Sequence, residues 1–110
     1  MDTPRVIIVE GKTDKEKILK ALEESVKIFC TFGTLNNETL EIIIDEYHKN
    51  DVYIFVDSDD SGVKLRKQLR RGLPNAHHLY TEKIFKEVAA TPIKYLSEIL
   101  KKAHFDVKKI

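Results

Sequence analysis

The chain has 110 residues and a mass of 12.7 kDa, which is the size of a single domain, so we expect one domain over residues 1–110. Charged residues make up 34% of the sequence, but the net charge is only +1, so any attraction to nucleic acid must come from local clusters of basic residues. A single cysteine excludes an intrachain disulfide, and the absence of a signal peptide or an apolar run of roughly 20 residues favours a cytoplasmic protein without membrane contact.

The first apolar run, Val6–Val9, predicts a strand that ends at the acid Glu10. The segment from Thr13 to Glu16 has the spacing of a capping box and predicts the start of a helix, where Asp14 also favours the helix dipole. The predicted buried face of this helix consists of Ile18, Leu19 and Leu22.

The next strand and helix are predicted from a second apolar run and an amphipathic segment. Val26–Thr31 predicts the strand, Gly33-Thr34 ends it, and Asn36 or Asn37 caps the helix. Apolar residues recur in this helix at Leu40, Ile43, Ile44 and Tyr47. The third strand, Val52–Val56, is apolar on both faces, which indicates a central place in a parallel sheet.

The remaining elements continue the alternation of strands and helices. A helix is predicted from Ser61 to Arg71, a weak fourth strand over His77–Thr81, a loop with some helix over 82–90, and a last helix with Pro92 at its first position. This alternation predicts βαβ units and a mostly parallel sheet of about four strands. We expect the strand order 2-1-3-4, because it places the ends of the first and third strands side by side. Glu10, which follows the first strand, can then meet Asp57 and Asp59, which follow the third.

Acidic residues follow two of the predicted strands at the point where each strand ends. Glu10 follows the first strand, and Asp57 and Asp59 follow the third. Ligands of open α/β sheets bind outside the carboxyl ends of the strands, and carboxylates gathered there repel one another unless a cation lies between them. Since hard oxygen ligands favour Mg²⁺ or Mn²⁺, the sequence predicts a metal site. Any one of these acids alone is typical of a surface turn, and Asp60 is interpreted only as a helix cap.

The order of these motifs resembles the Toprim domain. Glu10-Gly11, then Gly33-Thr34, then Asp57-Ser58-Asp59 with Gly62 is the pattern shared by bacterial primases, type IA and type II topoisomerases, OLD-type nucleases and recombination-repair proteins. The resemblance covers roughly residues 5–81.

Within that family the chain is most similar to the Toprim domain of the nuclease that matures 5S ribosomal RNA. The similarity rests on Glu10-Gly11-Lys12 with Asp14, and on the run from Asp57 through Gly62 to Arg66. The resemblance implies a three-layer α/β/α, Rossmann-like fold.

The resemblance also implies Mg²⁺-dependent phosphodiester chemistry on nucleic acid, as a nuclease, an RNA-processing factor or a nucleotidyl-transfer enzyme. Glu10 would act as general acid/base and as a metal ligand, while Asp57 and Asp59 would hold Mg²⁺ or Mn²⁺. Asp14 is expected either to cap its helix or to serve as a secondary acid. Gly11 would suit a tight turn where a side chain would block the substrate backbone, and Lys12 would contact a phosphate.

The predicted third helix is basic along its length. Its basic residues are Lys64, Arg66, Lys67, Arg70 and Arg71, with no acid among them. Because the helix starts beside the acids, we expect Lys64, Arg66, Lys67 and Arg70 to contact a nucleic-acid backbone, although a solvated face has the same composition. Arg66 matches an arginine of the maturase motif. No aromatic residue interleaves with this patch, so base stacking is not expected.

Two other functions fit the same residues. One is a non-catalytic Toprim-like module that binds nucleic acid or protein, and the other is a receiver-type signalling domain, which also holds Mg²⁺ with acids at these strand ends. The expected partner is RNA or DNA, with a further protein that helps to grip the substrate. The adjacent histidines His77 and His78 lack a further ligand at metal spacing and are expected to have a structural or polar-surface role.

Overall fold

Strands and helices alternate along the chain in a computed structural model that describes residues 4–109. The elements are β1 (Arg5–Val9), α1 (Lys12–Ala21), β2 (Lys27–Cys30), α2 (Asn37–Tyr47), β3 (Asp51–Phe55), α3 (Asp60–Gly72), β4 (His77–Leu79) and α4 (Ile93–Lys102). The segment 82–90 forms turns rather than helix, and each predicted strand is present.

The four strands form one parallel sheet in the order β2-β1-β3-β4, which confirms the predicted order. β1 and β3 are the two central strands, and Ile8 lies beside Ile54 in their register. Shortly beyond this pair the chain leaves the sheet, at Glu10 after β1 and just before Asp57 after β3. The topology therefore places the acids that follow β1 and β3 at one edge of the sheet.

Helices cover both faces of the sheet, so the domain has three layers and the α/β/α prediction is confirmed. On one face, α1 and α4 bury the sheet residues Ile7, Val9 and Phe55. On the other, α2 and α3 bury Val6, Ile8 and Ile54 together with Ile43, Leu65 and Leu69. Burial of each aliphatic side chain of this kind contributes about 1.5–3 kcal/mol relative to exposure.

The start of α1 differs from the capping-box prediction. The helix begins at Lys12 with Gly11 as its N-cap, and Oδ2 of Asp14 accepts a hydrogen bond of 3.0 Å from the Gly11 amide. An acid three residues after a cap completes this bond without a side chain at the cap itself. The prediction that Leu19 is buried was also wrong: it is 44% exposed, because it lies about 100° around the helix from the buried Ile18.

The caps of the next two helices are asparagine and aspartate residues. Oδ1 of Asn36 accepts from the Thr39 amide at 2.7 Å, which decides between the two predicted caps of α2. At α3 the cap is Asp59, whose Oδ1 accepts from the Gly62 amide at 2.8 Å, so the interpretation of Asp60 as the cap was wrong. Asp60 is the first residue of α3, where its charge favours the helix dipole.

Within residues 4–109, every helix is too short or too polar to cross a bilayer. The cytoplasmic location expected from the sequence stays a prediction.

Candidate functional site at the carboxyl edge of the sheet

Three carboxylates meet where β1 and β3 end. Glu10, Asp57 and Asp59 each bring one oxygen within 4.8 Å of the others. They come together because parallel strands end at the same edge and β1 is paired directly with β3. The sequence predicted this convergence; that the three residues hold a metal is a separate prediction.

Hydrogen bonds orient each of these carboxylates. Glu10 accepts from the Asp57 amide at 3.3 Å and from the Ser61 hydroxyl at 3.4 Å. Asp57 accepts from the Val88 amide at 2.7 Å, and Asp59 is fixed by its bond to the start of α3. Each acid is thus positioned by the backbone of a neighbouring element rather than by a basic side chain.

Burial and mutual repulsion disfavour the charged forms of these acids. The pKa of Glu10 is raised, first by burial and then by the charges of Asp57, Asp59 and Asp14, against the lowering effect of its backbone hydrogen bond. The pKa of Asp57 is also raised, mainly by burial and partly by Asp14, Asp59 and Glu87. Such a set of carboxylates fits a divalent cation that prefers oxygen ligands.

Asp14 adds charge to the site without joining the three acids that meet. It is 7% exposed, and its carboxylate is bonded to the Gly11 amide. Burial raises the pKa of Asp14, and its charge in turn raises the pKa of Glu10 and of Asp57. Both expected roles, helix capping and a secondary acid, are therefore compatible with its position.

The turn segment 82–90 forms part of this site, which the sequence did not predict. Besides the bond from Val88 to Asp57, the Ser58 amide donates to the Lys86 carbonyl at 2.6 Å. Val88 is fully buried and anchors the segment, while Glu87 raises the pKa of Asp57 and of Asp14. The short apolar run Val88-Ala89-Ala90 is the signal that indicates a packed loop here.

Gly11 and Gly62, the motif glycines nearest the acids, differ in what their positions require. A Cβ on Gly62 would lie 1.9 Å from the Asp57 carbonyl oxygen, so only glycine lets α3 start this close to the acids. The nearest atom to a Cβ on Gly11 is an Asp14 oxygen at 3.7 Å, and φ of Gly11 is −136°, which any residue adopts. The tight-turn reason for Gly11 is therefore not observed, and room for substrate stays a prediction.

The structure separates Arg66 from the other predicted phosphate-binding residues. Lys64, Lys67 and Arg70 are exposed on α3, and Lys12 is exposed at the start of α1. Arg66 is only 5% exposed, so the interpretation of its side chain as part of the basic surface was wrong.

The guanidinium of Arg66 is bonded to the sheet. It donates to the carbonyls of Ile54 at 3.4 Å, of Val56 at 3.1 Å and of Leu79. It also contacts Nδ1 of His78 at 3.1 Å. Arg66 therefore joins β3 to β4, and His78 has the structural role expected of it.

The other histidine is also in a structural contact. Nε2 of His77 lies 2.9 Å from Oδ1 of Asp51, and its ring stacks on Tyr53 with the centroids 4.6 Å apart.

Comparisons with known proteins agree with this fold. The model of a family described as the Toprim domain matches residues 5–86. A Bacillus subtilis (strain 168) protein described as uncharacterized protein YusF is 48% identical over 106 residues, which are 96% of this chain and 73% of that protein. The solved structure of a small TOPRIM domain protein from Bacillus stearothermophilus superposes with a TM-score of 0.92 at 46% identity, covering 98% of this chain and 92% of that one.

Relatives named as ribonucleases match a shorter part of the chain. Ribonuclease M5 1 of Ligilactobacillus salivarius (strain UCC118) is 35% identical over 83 residues, or 76% of this chain and 44% of that protein. Ribonuclease M5 of Mycoplasma capricolum is 39% identical over 72 residues, or 64% of this chain and 40% of that protein. The chain thus spans less than half the length of these two ribonucleases.

Proposed function

We propose that this chain, which belongs to the Toprim domain family, catalyses the metal-dependent cleavage of phosphodiesters in RNA. The observation that carries the proposal is the meeting of Glu10, Asp57 and Asp59 at the carboxyl edge of the sheet, without a basic side chain among their hydrogen-bond partners in residues 4–109. The names of the ribonuclease M5 relatives support RNA as the substrate class and cleavage as the reaction.

Asp57, Asp59 and Glu10 are the residues that would hold Mg²⁺ or Mn²⁺. When bound, the ion neutralises negative charge that develops on the phosphate. The chain's contribution is to hold three carboxylates in one place, although burial and crowding disfavour their charged forms. The backbone bonds from Val88 and Gly62 fix the two aspartates before any substrate arrives.

Glu10 acts as the general acid/base. In the metal-free protein burial and the neighbouring acids raise the pKa of this carboxyl, which favours uptake of a proton. The Asp57 amide and the Ser61 hydroxyl hold the two carboxyl oxygens of Glu10 at the edge of the sheet, where the substrate phosphate would lie.

The exposed basic residues beside this edge bind the RNA backbone. Lys12 is the first residue of α1, and Lys64, Lys67 and Arg70 extend along α3 away from the acids. Backbone contacts of this kind position RNA without reading its sequence. Gly11, between Glu10 and Lys12, gives the substrate backbone the closest approach.

Cleavage of end-labelled structured RNA and of plasmid DNA, with Mg²⁺, with Mn²⁺ or with chelator, tests this proposal. We expect RNA cleavage that requires metal and falls about 100-fold or more in Glu10→Gln and in the double variant Asp57→Asn/Asp59→Asn. Asparagine at 59 still caps α3, so the fold is kept. Glu41→Gln, an exposed acid on α2, is the matched control and should cut normally. Cutting that survives the acidic-site variants would reject the proposed site.

A non-catalytic RNA-binding module is the second candidate, favoured by the accessible basic side chains of α3. Salt-sensitive RNA binding by a wild-type protein that cuts neither substrate would select it. The receiver-type alternative is set aside because the chain belongs to the Toprim family.

A further inference from the structure

Two exposed aromatic side chains lie on either side of the acidic site. Phe32 follows β2 and is 76% exposed, while Tyr80 follows β4 and is 55% exposed. β2 and β4 are the outer strands of the sheet, and the acids follow the two central ones. Since all four strands are parallel, both aromatic residues leave the sheet at the same edge as Glu10 and Asp57.

The backbone of Phe32 is fixed directly to the residue that ends β1. Its amide donates to the Glu10 carbonyl at 2.6 Å, and its φ is +57°, a region that bulky side chains rarely adopt. Most of the ring is in solvent, so burial of apolar surface does not explain why an aromatic residue is held in this conformation. Its exposed ring face is free to stack on a base.

The ring of Tyr80 packs on the guanidinium of the buried Arg66. The guanidinium carbon of Arg66 lies 4.0 Å from the centre of the Tyr80 ring, and that guanidinium is itself bonded to β3 carbonyls. The pairing of Phe55 with Leu79 places Tyr80 beside Val56, one residue before Asp57. Tyr80 therefore follows β4 beside the strand that leads into Asp57, with its ring packed on Arg66 and more than half of the residue's surface accessible.

We propose that Phe32 and Tyr80 stack unpaired RNA bases on the two sides of the phosphate that lies at the acids. This inference rests on the proposed function and specifies its substrate as RNA that is unpaired around the cut, in a loop, a bulge or a single strand. Phe32 and Tyr80 are called the two platforms below. Three strand spacings of roughly 4.8 Å separate β2 from β4, so the two platforms are about 14 Å apart along the edge, a span of a few nucleotides.

Aromatic stacking selects unpaired RNA for a physical reason. Bases within a duplex already stack on one another, whereas splayed bases expose a π-face that an aromatic ring covers. The sequence-based expectation of no base stacking considered only the basic helix and missed residues that the sheet topology brings to the acids.

Tryptophan reporters test the stacking directly, because the chain contains no tryptophan. The variants Phe32→Trp and Tyr80→Trp each carry one reporter at a platform, and Ile42→Trp carries one at an exposed position on α2. In the Glu10→Gln background, in which cleavage is not expected, and with Mg²⁺ present, a single-stranded RNA should quench the first two and leave the third unchanged. The same RNA annealed to its complement should quench the first two much less. Equal responses from all three variants would reject the inference.

Affinity measured by fluorescence anisotropy of a labelled single-stranded RNA gives a second readout. Phe32→Leu and Tyr80→Leu should each weaken binding about 5- to 10-fold. This is the lower part of the loss in affinity expected when one aromatic ring that stacks on a base is removed. Phe32→Tyr and Tyr80→Phe should bind like the wild type, and duplex affinity should be unchanged in all four. Circular dichroism checks that each variant is folded.

The inference and the proposed function fail in different ways. RNA cleavage that depends on Glu10, combined with unchanged binding by both leucine variants, would overturn stacking alone. Quenching at both platforms without any cleavage would overturn the nuclease proposal and leave the stacking surface. A wild-type protein that binds no RNA would overturn both.

Discussion

A basic residue and a group of acids lie near the carboxyl edge of the sheet, and the fold treats them in opposite ways. Arg66 is buried, yet its donors are bonded to the ends of β3 and β4. Glu10 and Asp57 are partly buried beside each other, with raised pKa values. The arginine stabilises the sheet, whereas the acids are held where their own charges oppose folding. A buried charge whose donors are bonded to the protein is structural; crowded acids with raised pKa values and no basic hydrogen-bond partner in residues 4–109 indicate a ligand.

The largest expected effect comes from removing the satisfied charge. Arg66→Met leaves carbonyls of Ile54, Val56 and Leu79 without their donor in a buried place, and each such loss costs about 1–3 kcal/mol. We expect the free energy of unfolding to fall by about 3–4 kcal/mol in a urea titration. Arg70→Met, one turn along the same helix but exposed, should stay within about 0.5 kcal/mol of wild type. Equal losses in the two variants would contradict a structural role specific to Arg66.

The second effect tests the close approach that places α3 beside the acids. Gly62→Ala puts a methyl group 1.9 Å from the Asp57 carbonyl, so the start of α3 must shift. We expect a loss of about 2–3 kcal/mol in thermal or urea unfolding, together with reduced RNA cleavage because Asp57 and Asp59 move apart. Gly11→Ala is the matched control for stability alone, since its new methyl group meets only ordinary van der Waals neighbours. Normal stability and cleavage in Gly62→Ala would show that the close approach is dispensable.

The third expected effect is a gain in folding stability, whereas the first two are losses. Asp57→Asn removes one crowded charge but keeps an oxygen that accepts from Val88, so the metal-free protein should become more stable at pH 7. A gain of 1 kcal/mol raises Tm by about 4–8 °C in a domain of this size, which makes even a small gain measurable. Addition of Mg²⁺ should raise Tm in the wild type more than in Asp57→Asn, because a ligand stabilises the state that binds it. Destabilisation of the metal-free variant would show that the Asp57 charge is satisfied after all.

The fourth effect concerns pH. Glu10, Asp14 and Asp57 have raised pKa values, so the folded protein binds protons that the unfolded chain has already lost. Proton binding to these three acids therefore stabilises the folded protein in full below their unfolded pKa of about 4. This stabilisation is lost as the pH rises through their pKa values in the folded protein. In chelator, the difference in Tm between Asp57→Asn and wild type should grow from pH 4 towards pH 7. A difference that shrinks over that range would contradict the raised pKa of Asp57.

How far the sequence predicted this arrangement depends on the kind of signal involved. Apolar runs that end in acids are local patterns, so the sheet, its order and the meeting of Glu10, Asp57 and Asp59 were predicted. The burial of Arg66 depends on carbonyls from two strands that meet only in the folded sheet, and a run of basic residues gives no sign of it. The bond from Val88 to Asp57 lies in a turn segment without periodicity, so the sequence offers no register for it.

The smallest expected change in stability is on the basic surface, where charge is solvated and contributes to binding rather than to folding. Lys64→Gln/Lys67→Gln should leave the free energy of unfolding within about 0.5 kcal/mol of wild type, because both side chains are exposed. The same variant should lower the dependence of RNA affinity on salt by a logarithmic slope of about 0.7 for each phosphate that a lysine no longer neutralises. Lys49→Gln, a lysine just after α2, is the matched control. An unchanged slope would mean that Lys64 and Lys67 do not neutralise RNA phosphates and that the RNA does not follow this part of α3.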